Sequence, residues 1–207
     1  MIVGIDPSFT GTGIVVCKDD GSLIESHRFT SHEPVFTSIA SAQRGADKVS
    51  VFLKDIITKY CYFEDVDVVI EYPAFATSSG AFLGILNGWL GKLLHDDVKV
   101  RSVCWIPPIA CNTYIHLKST KNKTEDKKAL VEYVIKNYGV PKMSHDEASA
   151  LIFVHIFIDI INGAYTKTFC WTKPYGDMED NISKKQKRKS AKKEVTKAKK
   201  KSKTKGE

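Results

Sequence analysis

The stretch Ile2-Val3-Gly4-Ile5-Asp6-Pro7-Ser8-Phe9-Thr10-Gly11-Thr12-Gly13 decides how this chain is read. Its first apolar run is short enough for a strand, and Asp6-Pro7 ends it, because proline brings no amide donor and restricts the residue before it. A β-branched run resumes from Gly11 to Val16. Asp19-Asp20-Gly21 is a turn signal, and Ser22 to Phe29 follows as a third strand. Three strands in hairpin order therefore open the chain, with an acid at the end of the first.

Further along, apolar residues at Val49, Phe52, Leu53, Ile56 and Ile57 have helical spacing and predict a helix over Ser38 to Tyr60. Asp67 to Ile70 reads as a strand that Glu71-Tyr72-Pro73 closes. Ala81 to Leu94 is a helix whose Gly84, Gly88 and Gly91 suggest close packing or DNA approach. Val98 to Trp105 is a strand stopped by Pro107-Pro108. An amphipathic helix follows over Lys127 to Tyr138, ending at Gly139 before Pro141. Ser144 and Glu147 have capping-box spacing, which starts a last helix through Ile161. The order implies an α/β architecture: a mixed sheet of five strands, three antiparallel and then parallel, flanked by helices. The expected division is a domain over 1–165, a connecting segment of unassigned structure over 166–182, and a disordered lysine-rich tail over 183–207.

Charge separates the tail from the body. The chain has 207 residues and a net charge of +7. Residues 183–207 hold 13 Lys or Arg against two Glu, a charge of +11, so Met1 to Ile182 carries −4. A mildly acidic body with a strongly basic tail suggests an acidic polymer as partner, most often nucleic acid, although a solvated tail also has this composition. Five cysteines without a C-x-x-C pair are expected as buried free thiols in a reducing cytoplasm. The apolar run from Ala148 to Ile161 is interrupted by His155 and Asp159. It falls short of the ~20 residues of a membrane span, so a buried helix is expected and no membrane partner.

Three acids sit at element ends: Asp6 after the first strand, Glu71 after the fourth, and Asp146 in the first turn of the last helix. Each also has a plain structural reading, as turn former, solvated strand end and helix-dipole partner respectively. Were the first and fourth strands parallel neighbours, Asp6 and Glu71 would meet, and a helix start packed there would add Asp146. Clustered carboxylates repel unless a cation compensates. All-oxygen ligands suit Mg2+, with Mn2+ able to substitute, and such ions activate water for phosphodiester cleavage.

The opening stretch resembles that of RuvC-type Holliday junction resolvases, whose first catalytic Asp precedes Pro and a Thr-Gly run. Val68-Val69-Ile70-Glu71 is similar to their second motif, and Ser144-His145-Asp146-Glu147-Ala148-Ser149-Ala150-Leu151 to their last. Lys118 to Val131 resembles the basic segment of that family. The resemblance implies an RNase H-like fold, a homodimer, and metal-dependent hydrolysis of branched DNA such as four-way junctions. It carries Asp6, Glu71 and Asp146 over as catalytic metal ligands. The family's fourth acid falls at Ser149, so either three acids suffice or Glu147 or His145 helps; His145 is also a candidate DNA contact. Lys118, Lys121, Lys123 and Lys127 are candidate phosphate contacts. Phe75 is a candidate to stack on an unpaired base and is equally readable as packing, whereas Phe82 reads more readily as packing than as stacking. The implied setting is the cytoplasm of a bacterium or of a phage-infected cell, with a nuclear-targeting pattern also present in the tail.

Two other functions fit the same residues. One is a nuclease of this fold acting on flaps or forks. The other is a branched-DNA-binding protein that keeps the fold without catalysis, a reading Ser149 favours and three intact acids oppose. An actin-like ATPase would need a duplicated second half, for which the chain is too short.

Overall fold

The computed structural model describes residues 1–33, 37–60, 65–72, 80–117, 120, 122–140, 142–167 and 169–173. Phe75, Lys118, Lys121, Cys61 and the tail, each given an expectation above, lie outside them. The strands are β1 (Ile2–Asp6), β2 (Thr12–Cys17), β3 (Leu23–Phe29), β4 (Val66–Glu71), β5 (Val100–Ile106) and β6 (Cys170–Lys173). The helices are α1 (Ile39–Tyr60), α2 (Gly80–Asp96), α3 (Ile109–Tyr114), α4 (Lys123–Tyr138) and α5 (His145–Ile161). One sheet holds all six strands in the order β3-β2-β1-β4-β5-β6. The β1/β2 and β2/β3 pairs are antiparallel, and β1/β4 and β4/β5 are parallel. The mixed sheet expected from the pattern is therefore present.

A sixth strand goes beyond the five expected. β6 pairs antiparallel with β5 and lies past residue 165. Its four residues are too few for a periodic signal. Pairing makes it a strand, helped by the Trp105 Nε1 bond to Thr172 Oγ1 at 2.9 Å. The short α3 was likewise not anticipated; its N-cap is Pro108 and no side chain caps it.

Alternation along the strands assigns the two faces. Val3, Ile5, Val68 and Ile70 join residues of α1 and α2 such as Ala46, Leu53, Leu86 and Leu90 in one buried cluster. Gly91 of α2 faces Trp105, where a Cβ would come within 3.2 Å, whereas Gly88 has nothing within 4 Å. Close packing thus explains one of those glycines, and Phe82 packs against the same core. The opposite face carries α5, which is buried along most of its length as expected.

Helix α5 approaches the sheet closely because two strand glycines allow it. A Cβ at Gly4 would lie 2.3 Å from Ala150 O, and one at Gly13 would lie 2.2 Å from the Asp146 carbonyl. The Ser144–Glu147 capping box is formed, with Ser144 N donating to Glu147 Oε2 (2.8 Å) and Glu147 N to Ser144 Oγ (3.2 Å). Helix α4 begins four residues before the sequence reading, because Asn122 caps Thr124 N, and it ends at Gly139 with φ +63°. Cys17, Cys104 and Cys111 are buried free thiols, but Cys170 is exposed on the edge strand. Among the described residues no helix is long and apolar enough to cross a membrane.

Candidate metal centre

The strand alternation that turns Gly4 toward α5 turns Asp6 the same way. In the parallel β1/β4 pair Ile5 stands opposite Ile70, which leaves Asp6 and Glu71 side by side at the carboxyl ends of the two strands. The α5 start is held over this edge by Gly13, and it delivers His145 and Asp146. The geometry thus brings together Asp6, Glu71 and Asp146 from the three segments that sequence reading singled out.

One ligand atom each from Asp6, His145 and Asp146 lies within 4.8 Å of the others. Glu71 is outside that set but hydrogen-bonds Asp6. His145 Nδ1 is buried and makes no hydrogen bond; Asp146 Oδ1, at 3.5 Å, is its ion-pair neighbour. Asp6 is 9% exposed and Ser149 5%. Ser149 is buried beside Asp6 and its hydroxyl favours the ionised Asp6, so the fourth position acts on an acid rather than replacing one. Glu147 is committed elsewhere, as its carboxylate accepts from the Ser144 amide.

Burial, then the Asp146 charge, raises the Asp6 carboxyl from 3.8 to about 6, while His145, Glu71 and Ser149 pull it down. Burial and then Asp6 raise Glu71 from 4.5 to about 9. The two titrate together, and the coherent state near neutrality has Glu71 protonated and donating to ionised Asp6. Cys111 of α3 walls this site; its Sγ donates to Ser149 O at 3.8 Å, and burial with the two acids pushes the thiol well up. A cluster that holds on to a proton, with a buried imidazole nitrogen left without a hydrogen bond, suits a divalent cation. Asp6, Glu71 and Asp146 would hold it, with His145 beside Asp6 and Asp146.

The rim carries one residue that sequence reading missed. Arg28 Nε lies 3.4 Å from Asp146 Oδ2. Nothing in the β3 pattern marks Arg28; only the register, which sets it opposite Gly13, brings it here. Lys123 and Lys127 are exposed at the start of α4.

No family model and no curated protein matches this sequence. Among solved structures the chain is similar to T. thermophilus RuvC in complex with a Holliday junction substrate, with TM-score 0.56 and 17% identity over 79% of this chain and 96% of that one. A second Thermus thermophilus RuvC structure gives TM-score 0.54 and 18% identity over the same shares. The six-stranded mixed sheet with its flanking helices is thus the RNase H-like fold in its RuvC form.

Proposed function

We propose that this protein is a divalent-metal-dependent endonuclease that cuts branched DNA, with four-way junctions as its substrate. The observation that carries the reading is the meeting of Asp6, Glu71 and Asp146 at one sheet edge, where Asp6 and Glu71 both have raised affinities for protons. A solved protein of the same fold binds a Holliday junction, which supports DNA of that shape as the substrate. Bound Mg2+ or Mn2+ would supply an activated water and charge neutralisation at the phosphate. Asp6, Glu71 and Asp146 would hold the ion, with His145 as a further ligand beside Asp6 and Asp146. Without the ion Glu71 keeps a proton at its carboxyl and shares it with Asp6, and binding the ion releases that proton. Lys118, Lys121, Lys123 and Lys127 contact phosphates, Phe75 stacks on an unpaired base, and the +11 tail adds salt-sensitive affinity. A homodimer places two such centres for two symmetric cuts.

The test presents four-way junction, fork, flap and linear duplex to the full-length protein with Mg2+ or Mn2+. Selective cleavage of the junction is expected, and Asp6→Asn should bind it but not cut it. Cleavage of flaps or forks alone would keep the nuclease and remove the resolvase. Binding without cleavage of any substrate would favour the non-catalytic reading, to which Ser149 at the fourth-acid position lends support.

A further inference from the structure

We propose that Arg28 is a catalytic residue of this reaction, its guanidinium gripping the phosphate that is cut; this rests on the endonuclease reading above. Two independent features single it out. The first is its position against Asp146, at 3.4 Å, on a side chain that is 53% exposed where Asp146 is 21%. The second is Gly11, which makes room for it. A Cβ there would lie 2.8 Å from both Arg28 Nε and Nη2, and 2.7 Å from Asp146 Oδ2.

The loop that carries Gly11 is fixed from both ends. Ser8 N donates to Thr12 Oγ1 (3.1 Å) and Thr12 Oγ1 donates back to Ser8 O (2.5 Å). Thr30 Oγ1 donates to Thr10 O (3.0 Å) and Ser31 Oγ to Phe9 O (3.1 Å), which ties the loop to the end of β3 next to Arg28. The loop is thus held where Gly11 leaves room for the guanidinium, while the Arg28–Asp146 pair itself is open, and open pairs contribute only ~0–1 kcal/mol to folding. Function accounts for it better.

The ionised Asp6 and Asp146 repel a DNA phosphate, and the body as a whole carries −4. Among the described residues Arg28 is the Lys or Arg side chain in ion-pair contact with them. Its ion pair engages Nε, while a guanidinium has further N–H donors in a fork that matches phosphate oxygens. In hydrolysis, water gives up a proton to solvent and adds to phosphorus, the bond to the leaving oxygen breaks and that oxygen takes up a proton from solvent, and negative charge grows on the non-bridging oxygens in between. A preorganised cation there stabilises the transition state more than the bound substrate.

The experiment measures single-turnover cleavage of a synthetic four-way junction by saturating full-length protein. Arg28→Ala should slow it about 100-fold, with junction affinity in EDTA within about threefold of wild type. Added guanidinium ion should partly rescue Arg28→Ala and leave the wild type unchanged, and Arg28→Lys should fall between the two. Gly11→Ala, which displaces the guanidinium without removing it, should lose rate as well. The proposal is overturned if Arg28→Ala cuts at the wild-type rate, if its defect is entirely one of affinity, or if raising Mg2+ restores it fully. That last result would make Arg28 only a positioner of Asp146. Should the wild type cut no branched substrate, the nuclease reading fails; should it cut while Arg28→Ala is undiminished, this inference alone fails.

Discussion

Strand β4 carries two acids on one face, Asp67 near its start and Glu71 at its end, about 13 Å apart at the usual rise per residue. The fold treats them oppositely. Asp67 is 2% exposed and fully compensated: Arg101 Nε donates to Oδ1 at 3.0 Å, Arg101 Nη2 bonds Oδ2, and Ser102 Oγ donates to Oδ1 at 2.6 Å. Glu71 meets another acid, Asp6, with Asp146 close by, and is pushed up to about 9. A sheet that neutralises one carboxylate with an arginine and a hydroxyl leaves Asp6 and Glu71 against each other, with Arg28 reaching only Asp146. Stability alone would not select that arrangement, so the carboxyl end of β1 and β4 is where a ligand belongs.

Exchanging one acid from each place for its amide, Asp6 at the site and Asp67 away from it, breaks this comparison most sharply. Asp6→Asn should lower cleavage by at least about 10^3-fold while raising the metal-free Tm near neutral pH, because one repelling charge is gone. Asp67→Asn should do the reverse. It turns an acceptor into a donor facing Arg101, which is 43% exposed and so partly solvated. The cost is about 2 kcal/mol, or roughly 4–8 °C in Tm, with cleavage at room temperature near wild type. Thermal melts and single-turnover rates on the same preparations decide it. Equal destabilisation by both substitutions would mean that the site is structural.

The pH dependence of stability sharpens the contrast with a smaller effect. A carboxyl raised in the folded state binds a proton that the unfolded chain releases, so stability falls as pH rises from the unfolded value toward the folded one. For Glu71 that window runs from 4.5 to about 9. His155, lowered by burial, works the other way below its ordinary 6.5, and buried thiols such as Cys17 enter near 9. The clean interval is therefore about pH 7 to 8. In EDTA the Tm should decline across it, and Glu71→Gln should flatten the decline. Mg2+ takes the place of the proton, so its stabilisation should grow across the same interval. A Mg2+ effect independent of pH would contradict the cluster.

How far the sequence disclosed all this depends on whether a feature is local. The β1 strand, its Asp6-Pro7 end and the Ser144–Glu147 box are set by neighbours in the chain, and the structure reproduces them. The meeting of Asp6, Glu71 and Asp146 needed the guess that β1 and β4 are parallel neighbours, which the Ile5–Ile70 register satisfies. Arg28 was illegible, since it lies 118 residues before Asp146 and reaches it only through the β2/β3 register and the absence of a side chain at Gly11. β6 was illegible because four residues carry no period, and its strand character comes from β5. His145 was read as a candidate DNA contact and candidate helper; its closeness to Asp6 depends on how deeply α5 sinks onto Gly4 and Gly13.

The smallest expected effect separates Glu147 from its neighbour Asp146. The two are adjacent in sequence and about 100° apart around α5, so a helix start over the site cannot aim both inward. Glu147 Oε2 is already bonded to the Ser144 amide at 2.8 Å. A glutamine there keeps an oxygen acceptor for that amide but gives up the charge that favours a helix N-terminus, worth about 0.3–1 kcal/mol. Glu147→Gln should therefore shift Tm by no more than a few degrees and leave the cleavage rate and its Mg2+ dependence as in wild type. Asp146→Asn should abolish cleavage on the same substrate. A large rate loss in Glu147→Gln with an unchanged Tm would show that the capping carboxylate leaves Ser144 to join the metal centre, and the division of labour along that first helical turn would have to be redrawn.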